Sequence, residues 1–238
     1  MSTISASITK SLKSKASKER AKVMINFFKT GKGQYGEGDV FYGVSVPDQR
    51  AIAKKYHTQV DQEAIVELLH SAIHEERLTA VIMMTLLFEA DYKKGDGKRW
   101  VDLYLKQTKQ INNWDLVDTS AYKILGKWLE DKDRKVLYKL AASSNLWENR
   151  IAVVSTLHFI KRKDFTDLLK LSKLLLSHEH DLMHKAIGWM LREAWKVNSM
   201  PIEEFLDQYA HKMPRTMLRY SIEKMTDTKK KYYMNYKK

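Results

Sequence analysis

In Asn112-Asn113-Trp114-Asp115-Leu116-Val117-Asp118, an indole and a carboxylate stand four residues apart, so a helix would place Trp114 and Asp118 one turn apart on one face. An anion beside a flat aromatic face can stabilise a cation that develops during a reaction. The plainer reading packs Trp114 between helices and gives Asp115 to the helix start, where acids complement the exposed N–H groups. Asp118 fits that reading poorly, because it lies beyond the first turn. A second cluster, Asn145-Leu146-Trp147-Glu148-Asn149-Arg150, opens another helical run, and there Arg150 and the free N–H groups of a helix start could hold a phosphate. Its plainer alternative is a surface Arg–acid pair. A third, Lys185-Ala186-Ile187-Gly188-Trp189-Met190-Leu191-Arg192-Glu193, buries a glycine inside a helix at a cost of about 1 kcal/mol relative to Ala unless something packs closely there. Gly126 and Trp128 repeat that pairing, which favours helix-to-helix contact. His178, His180 and His184 form the one histidine cluster, but no acid completes a metal site, and loop or capping roles suit them better. No G-x-S-x-G, P-loop or H-E-x-x-H pattern occurs, so serine esterase, nucleotide hydrolase and zincin chemistry lack support.

These residues need a helical frame. Only three Pro and nine Gly occur, and apolar residues recur at three and four spacing almost throughout, so the chain is expected to be all-α. Pro47, Pro201 and Pro214 suit helix starts. The spacing predicts helices over 4–14, 17–30, 47–57, 61–71, 75–91, 97–108, 114–130, 132–142, 147–161, 164–177, 181–197, 201–210 and 214–226. The longer apolar members begin near 75, 114, 147 and 181, at intervals of 39, 33 and 34 residues with a shorter helix between. Such a period points to stacked helix pairs of HEAT, armadillo or TPR type, with an irregular bundle as the alternative. Thr30 to Val46, with Gly31, Gly33, Gly36, Gly38 and Gly43, breaks the pattern as the one long loop. Its literal G-x-G-x-x-G lacks the preceding strand that dinucleotide binding requires, leaving a mobile basic and aromatic flap or a plain connection.

Forty-two basic against 29 acidic residues give a formal charge of +13, which invites a polyanion. Residues 1–35 carry a net +7 and residues 229–238 five lysines, so the body between is nearly neutral. The stretch 229–238 reads as a flexible basic and aromatic tail behind a single domain, 1–228. The absence of Cys excludes thiol nucleophiles, disulfides and thiolate metal sites. No apolar window approaches the ~20 residues of a membrane span, and no apolar signal region follows the start, so a cytoplasmic protein is expected.

At these clusters the sequence resembles the AlkD family of DNA alkylation-repair proteins. The resemblance runs through four ordered motifs: Phe41 to Arg50, Trp114 to Asp118, Ser144 to Arg150, and Ala186 to Glu193. It implies a HEAT-like helical-repeat superhelix with a concave basic groove. It implies a monofunctional DNA glycosylase of base excision repair that removes cationic alkylated purines, of the 3-methyladenine and 7-methylguanine type, without flipping the base. By that resemblance Asp118 is the catalytic carboxylate, Trp114 and Trp189 contact the deoxyribose, and Arg150 binds the DNA backbone; Arg192 and Lys185 are further candidate DNA-binding residues. The implied partner is alkylated double-stranded DNA, bound by a monomer that associates with the nucleoid and uses no metal or other cofactor. Asn113 stands where some relatives carry a second aromatic, and the Gly-rich insertion at 31–40 leaves roles for Phe27 and Phe28 unassigned. Residues and charge alone also fit a non-catalytic helical-repeat DNA-binding or scaffolding protein.

Overall fold

The computed structural model describes residues 3–235, which form fifteen α-helices and, among the described residues, no strand. One parallel bridge joins Val40 to Ile73. The chain divides into two compact units, 1–120 and 121–238. No helix among the described residues is long and apolar enough to cross a membrane.

The first unit contains α1 (Thr3–Lys13), α2 (Lys18–Phe27), α3 (Val46–Tyr56), α4 (Gln62–Leu69), α5 (His74–Tyr92), α6 (Lys98–Lys106) and most of α7 (Trp114–Ala121). Local chemistry sets its starts. The Ser17 and Ser45 hydroxyls accept the N–H groups of Arg20 and Asp48, Pro47 occupies the first turn of α3, and the Asp61 carboxylate accepts Ala64 N–H at 2.8 Å. The long helix α5 is buried nearly all round and packs on α3, α4 and α6. Its Met84 and Phe88 and, around it, Ile8, Leu12, Ile65, Leu68, Trp100 and Tyr104 are closed to solvent. Helix α2 differs: none of its residues is buried.

The glycine-rich segment is docked rather than mobile. Val40 exchanges backbone hydrogen bonds with Ala72 and His74, and the buried Glu75 carboxylate accepts the N–H groups of Tyr42, Gly43 and Val44 at 3.1, 2.7 and 3.1 Å. Gly43 has φ +79°, and a Cβ there would stand 2.1 Å from the Ser17 carbonyl oxygen, so only glycine fits. In the G-x-G-x-x-G stretch, the N–H groups of Gly31, Gly33 and Gly36 are taken by Gln34, Glu37 and the Lys29 carbonyl. The phosphate-cradle pattern is thus a coincidence of turn glycines.

The second unit begins with a π-turn, Tyr122–Gly126, and continues through α8 (Lys135–Ala141), α9 (Leu146–Ser155), α10 (Leu157–Ile160), α11 (Thr166–Leu174), α12 (Asp181–Val197), α13 (Met200–Tyr209), α14 (Arg215–Ile222) and α15 (Asp227–Asn235). Here α9 packs on α8 and α12, and α12 packs most extensively on α14. The glycines of the two Gly/Trp patterns mark the close approaches. A Cβ on Gly126 would meet the Ser155 carbonyl oxygen at 2.3 Å, and one on Gly188 would meet Tyr220 Cβ at 2.4 Å and the Met217 carbonyl oxygen at 2.6 Å.

Two predicted long helices are interrupted. The run 114–130 passes into the π-turn at 122, and the run 147–161 breaks at Thr156. At that break the Ser155 and Thr156 hydroxyls bond back to the Ile151 and Val153 carbonyls, competing with the regular ladder. Where a flexible tail was expected, α15 packs on α14, with Tyr233 buried and its hydroxyl on the Glu203 carbonyl. Residues 236–238 of that stretch lie outside the described residues.

Candidate active site

In the first unit, α7 carries Trp114 at its first position and Asp118 one turn later, both half-buried. Asn113 Oδ1 accepts Trp114 N–H at 2.8 Å and Asp115 Oδ1 accepts Leu116 N–H at 2.9 Å, so short polar side chains satisfy the helix start. Leu116 and Val117 point into the core. Behind them Ser120 links α7 to the buried Tyr104 hydroxyl at 2.9 Å. Burial first, and the Asp118 charge as well, push the Tyr104 hydroxyl up and keep it neutral.

The Trp114 indole belongs to a column of rings. Phe28 stacks on it with centroids 5.3 Å apart and planes 19° apart, and Phe41 stacks on Phe28 in the same way. Phe27, largely exposed, meets the indole edge-on at 5.7 Å. Phe27 and Phe28, at the end of α2 just before the insertion, thus lie in contact with Trp114.

Below the column lies a charge cluster that the sequence reading missed. His74 is wholly buried, its ring 4.6 Å from Phe28 and 5.0 Å from Phe41. Its Nδ1 stands 3.0 Å from Asp39 and its Nε2 2.8 Å from Asp115. Arg77 Nη2 and Asn113 Nδ2 also donate to Asp39. Burial opposes a charge on the imidazole, but Asp115 and Asp39 outweigh it and push its pKa up to about 9. For Asp39 burial works the other way, yet His74, Arg77 and Asn113 hold its carboxyl below the usual range. The one sequence signal was the run His74-Glu75-Glu76-Arg77 opening the long helix α5, since charges entering a core need partners.

The second unit holds the other candidates. Trp189 lies half-buried in α12, and α12 also carries Lys185 and Arg192. Lys185 pairs with Asp181 at 2.7 Å, and Arg192 pairs with Glu223 and lies 3.5 Å from Glu193. Arg150 is 5% exposed, not a surface group, and donates from Nη1 to the Leu182 carbonyl at 2.6 Å, which ties it to the start of α12. The histidines are capping groups: His180 Nδ1 accepts Leu182 N–H, His178 Nδ1 accepts His180 N–H, and His184 bonds to the His178 carbonyl.

The two units thus make an all-helical protein of successive helix pairs that displays a tryptophan and a carboxylate one turn apart on α7. The chain belongs to the family described as DNA alkylation repair enzyme, whose profile matches residues 8–225. Membership places its role in the repair of alkylated DNA. A solved structure described as a predicted DNA alkylation repair enzyme from Enterococcus faecalis shares the fold, with TM-score 0.70 and 20% identity over 90% of this chain and 98% of that one. Among curated proteins no match was found.

Proposed function

We propose that this protein is a monofunctional DNA glycosylase that hydrolyses the N-glycosidic bond of purines made cationic by alkylation. The observation that carries the reading is Asp118, a half-buried carboxylate one helical turn from an indole that Phe28 and Phe27 hold in place. A purine alkylated at N3 or N7 is already positively charged, so the bond pair leaves with the base and neutralises it. The sugar left behind is oxocarbenium-like. Asp118 stabilises that charge and accepts a proton from the attacking water, and the indole face adds cation–π attraction. Phe28 covers one face of Trp114, so the sugar would meet the other.

Trp189 supplies a second ring in this reading, while Arg150, Lys185 and Arg192 bind the phosphates of the DNA backbone. Selectivity comes from the lability of the lesion, and the damaged nucleotide is engaged from its backbone and sugar without flipping into a pocket. In this reading the helix pairs stack as a HEAT-like superhelix whose concave basic groove receives the duplex. The protein acts as a cytoplasmic monomer on alkylated double-stranded DNA, in base excision repair, without a cofactor.

The test is single-turnover release of 7-methylguanine from a methylated duplex. Asp118→Asn keeps the shape and removes the charge, so release should fall about 100-fold or more while duplex Kd stays within twofold. An undiminished release rate would overturn the assignment of the acid.

A further inference from the structure

We infer that His74 is a positioning residue for this site, a clasp that holds Asp39 of the glycine-rich segment on one ring nitrogen and Asp115 of α7 on the other, and so fixes the turn bearing Trp114 and Asp118. The inference rests on the excision reading for what is positioned, and on geometry alone for the clasp.

Both contacts are short, 3.0 Å to Asp39 and 2.8 Å to Asp115, and both partners are carboxylates. An ionised carboxylate only accepts, and a neutral imidazole donates from one nitrogen only. Two such bonds therefore require a doubly protonated ring. The remaining charged neighbours are already committed. Arg77 neutralises Asp39 from the far side, Glu75 holds the Tyr42 to Val44 amides, and Glu76 accepts from the Thr9 and Tyr42 hydroxyls. Two acids and two bases make the cluster neutral, as a buried group of charges must nearly be.

The clasp reaches the indole from three directions. Asp115 uses its second oxygen on Leu116 N–H, so His74 pins the first turn of α7 through it. Asn113, which accepts Trp114 N–H, donates to the same Asp39 that His74 holds. Phe28, stacked on Trp114, also lies against the His74 ring. Asp118 follows on the same helix, and the reacting geometry with it. Displacements of about 1 Å in such a site can cost about 100-fold in rate.

The sign of the pH dependence follows. A ring whose pKa is raised to about 9 in the folded chain is fully charged at neutral pH, and the clasp opens as pH rises through that value. The full chain and its Asp115→Asn and His74→Gln variants decide the matter by three measurements: thermal unfolding, hydrogen exchange of the 114–118 amides, and single-turnover release of 7-methylguanine with duplex Kd. We expect Asp115→Asn to fold, with exchange at 114–118 accelerated about tenfold and exchange in α12 unchanged. Release should fall about 100-fold at unchanged Kd, and the loss of activity near pH 9 should move to lower pH. Merely lowered global stability would speed exchange everywhere and leave the pH profile in place, and that result overturns the inference, as does unaltered exchange at 114–118. His74→Gln should repeat the pattern; if so buried a replacement does not fold, Asp115→Asn carries the test, since Asp115 retains 14% side-chain exposure. Should Asp118→Asn release base as fast as the native chain, the excision reading fails while the exchange data still judge the clasp.

Discussion

At the level of single residues, this protein spends buried charge on holding backbone in place. Glu75 is closed to solvent, yet its two oxygens accept three consecutive N–H groups of the segment that packs under α2. Glu75→Gln would turn an amide NH2 toward one of those donors and weaken the remaining bonds by removing the charge. Each bond to a charged group contributes roughly 1.5–3 kcal/mol, so the substitution should cost about 3 kcal/mol. Urea denaturation measures this directly, and an unmoved midpoint would mean that the Val40 bridge alone anchors the segment. Trp114 and Asp118 were legible in the sequence because a four-residue spacing is a local fact of helix geometry. The His74 clasp was not, because its partners lie 35 and 41 residues away and only the folded segment brings them together.

Elements were legible wherever a face repeats. The three prolines do stand at helix starts, and every predicted helix has a counterpart; a one-sided stripe of buried side chains marks α4, α6 and α12, though not α2, which buries none of its residues. What escaped depends on single contacts. Helix α15 buries only Tyr233 in an otherwise polar stretch, too little to read as a stripe. The break at Thr156 follows from hydroxyls turning back on their own helix. Gly188, by contrast, announced a close approach, and α14 provides it. Alanine there would gain up to about 1 kcal/mol of helix propensity. Its Cβ would fall within 2.6 Å of a backbone oxygen that cannot move cheaply, and overpacking of this kind costs about 1–3 kcal/mol. Gly188→Ala should therefore lower Tm by several degrees despite the better helix former. Gly95→Ala is the control: φ is +85° there and nothing lies within 4 Å, so its smaller loss reports backbone strain alone. A rise in Tm for Gly188→Ala would mean that α12 and α14 can separate freely.

For the molecule as a whole, the excess charge sits at the two ends of the sequence while the proposed catalytic residues belong to a nearly neutral body. The two ends are not equivalent. All eight basic residues of the first 35 are exposed, with Glu19 as the only acid among them. In α15, Lys229 is paired with Glu203 and Lys230 with Asp227, so much of that charge is already answered within the protein. Phosphates bind by releasing counterions, and the affinity for duplex falls with salt at a slope of about 0.9 per phosphate neutralised. Replacing Lys18, Lys22 and Lys29 with Gln should therefore flatten the plot of log affinity against log salt by roughly 2 to 3. The same change at Lys229, Lys230 and Lys231 should flatten it by about 1 or less, because two of the three lysines must first give up an acid. Titrating unmodified duplex at several salt concentrations compares them without any excision step. Equal slopes for the two triple variants would mean that the paired lysines leave their acids for DNA, and that the polyanion reads the whole basic excess rather than its unanswered part.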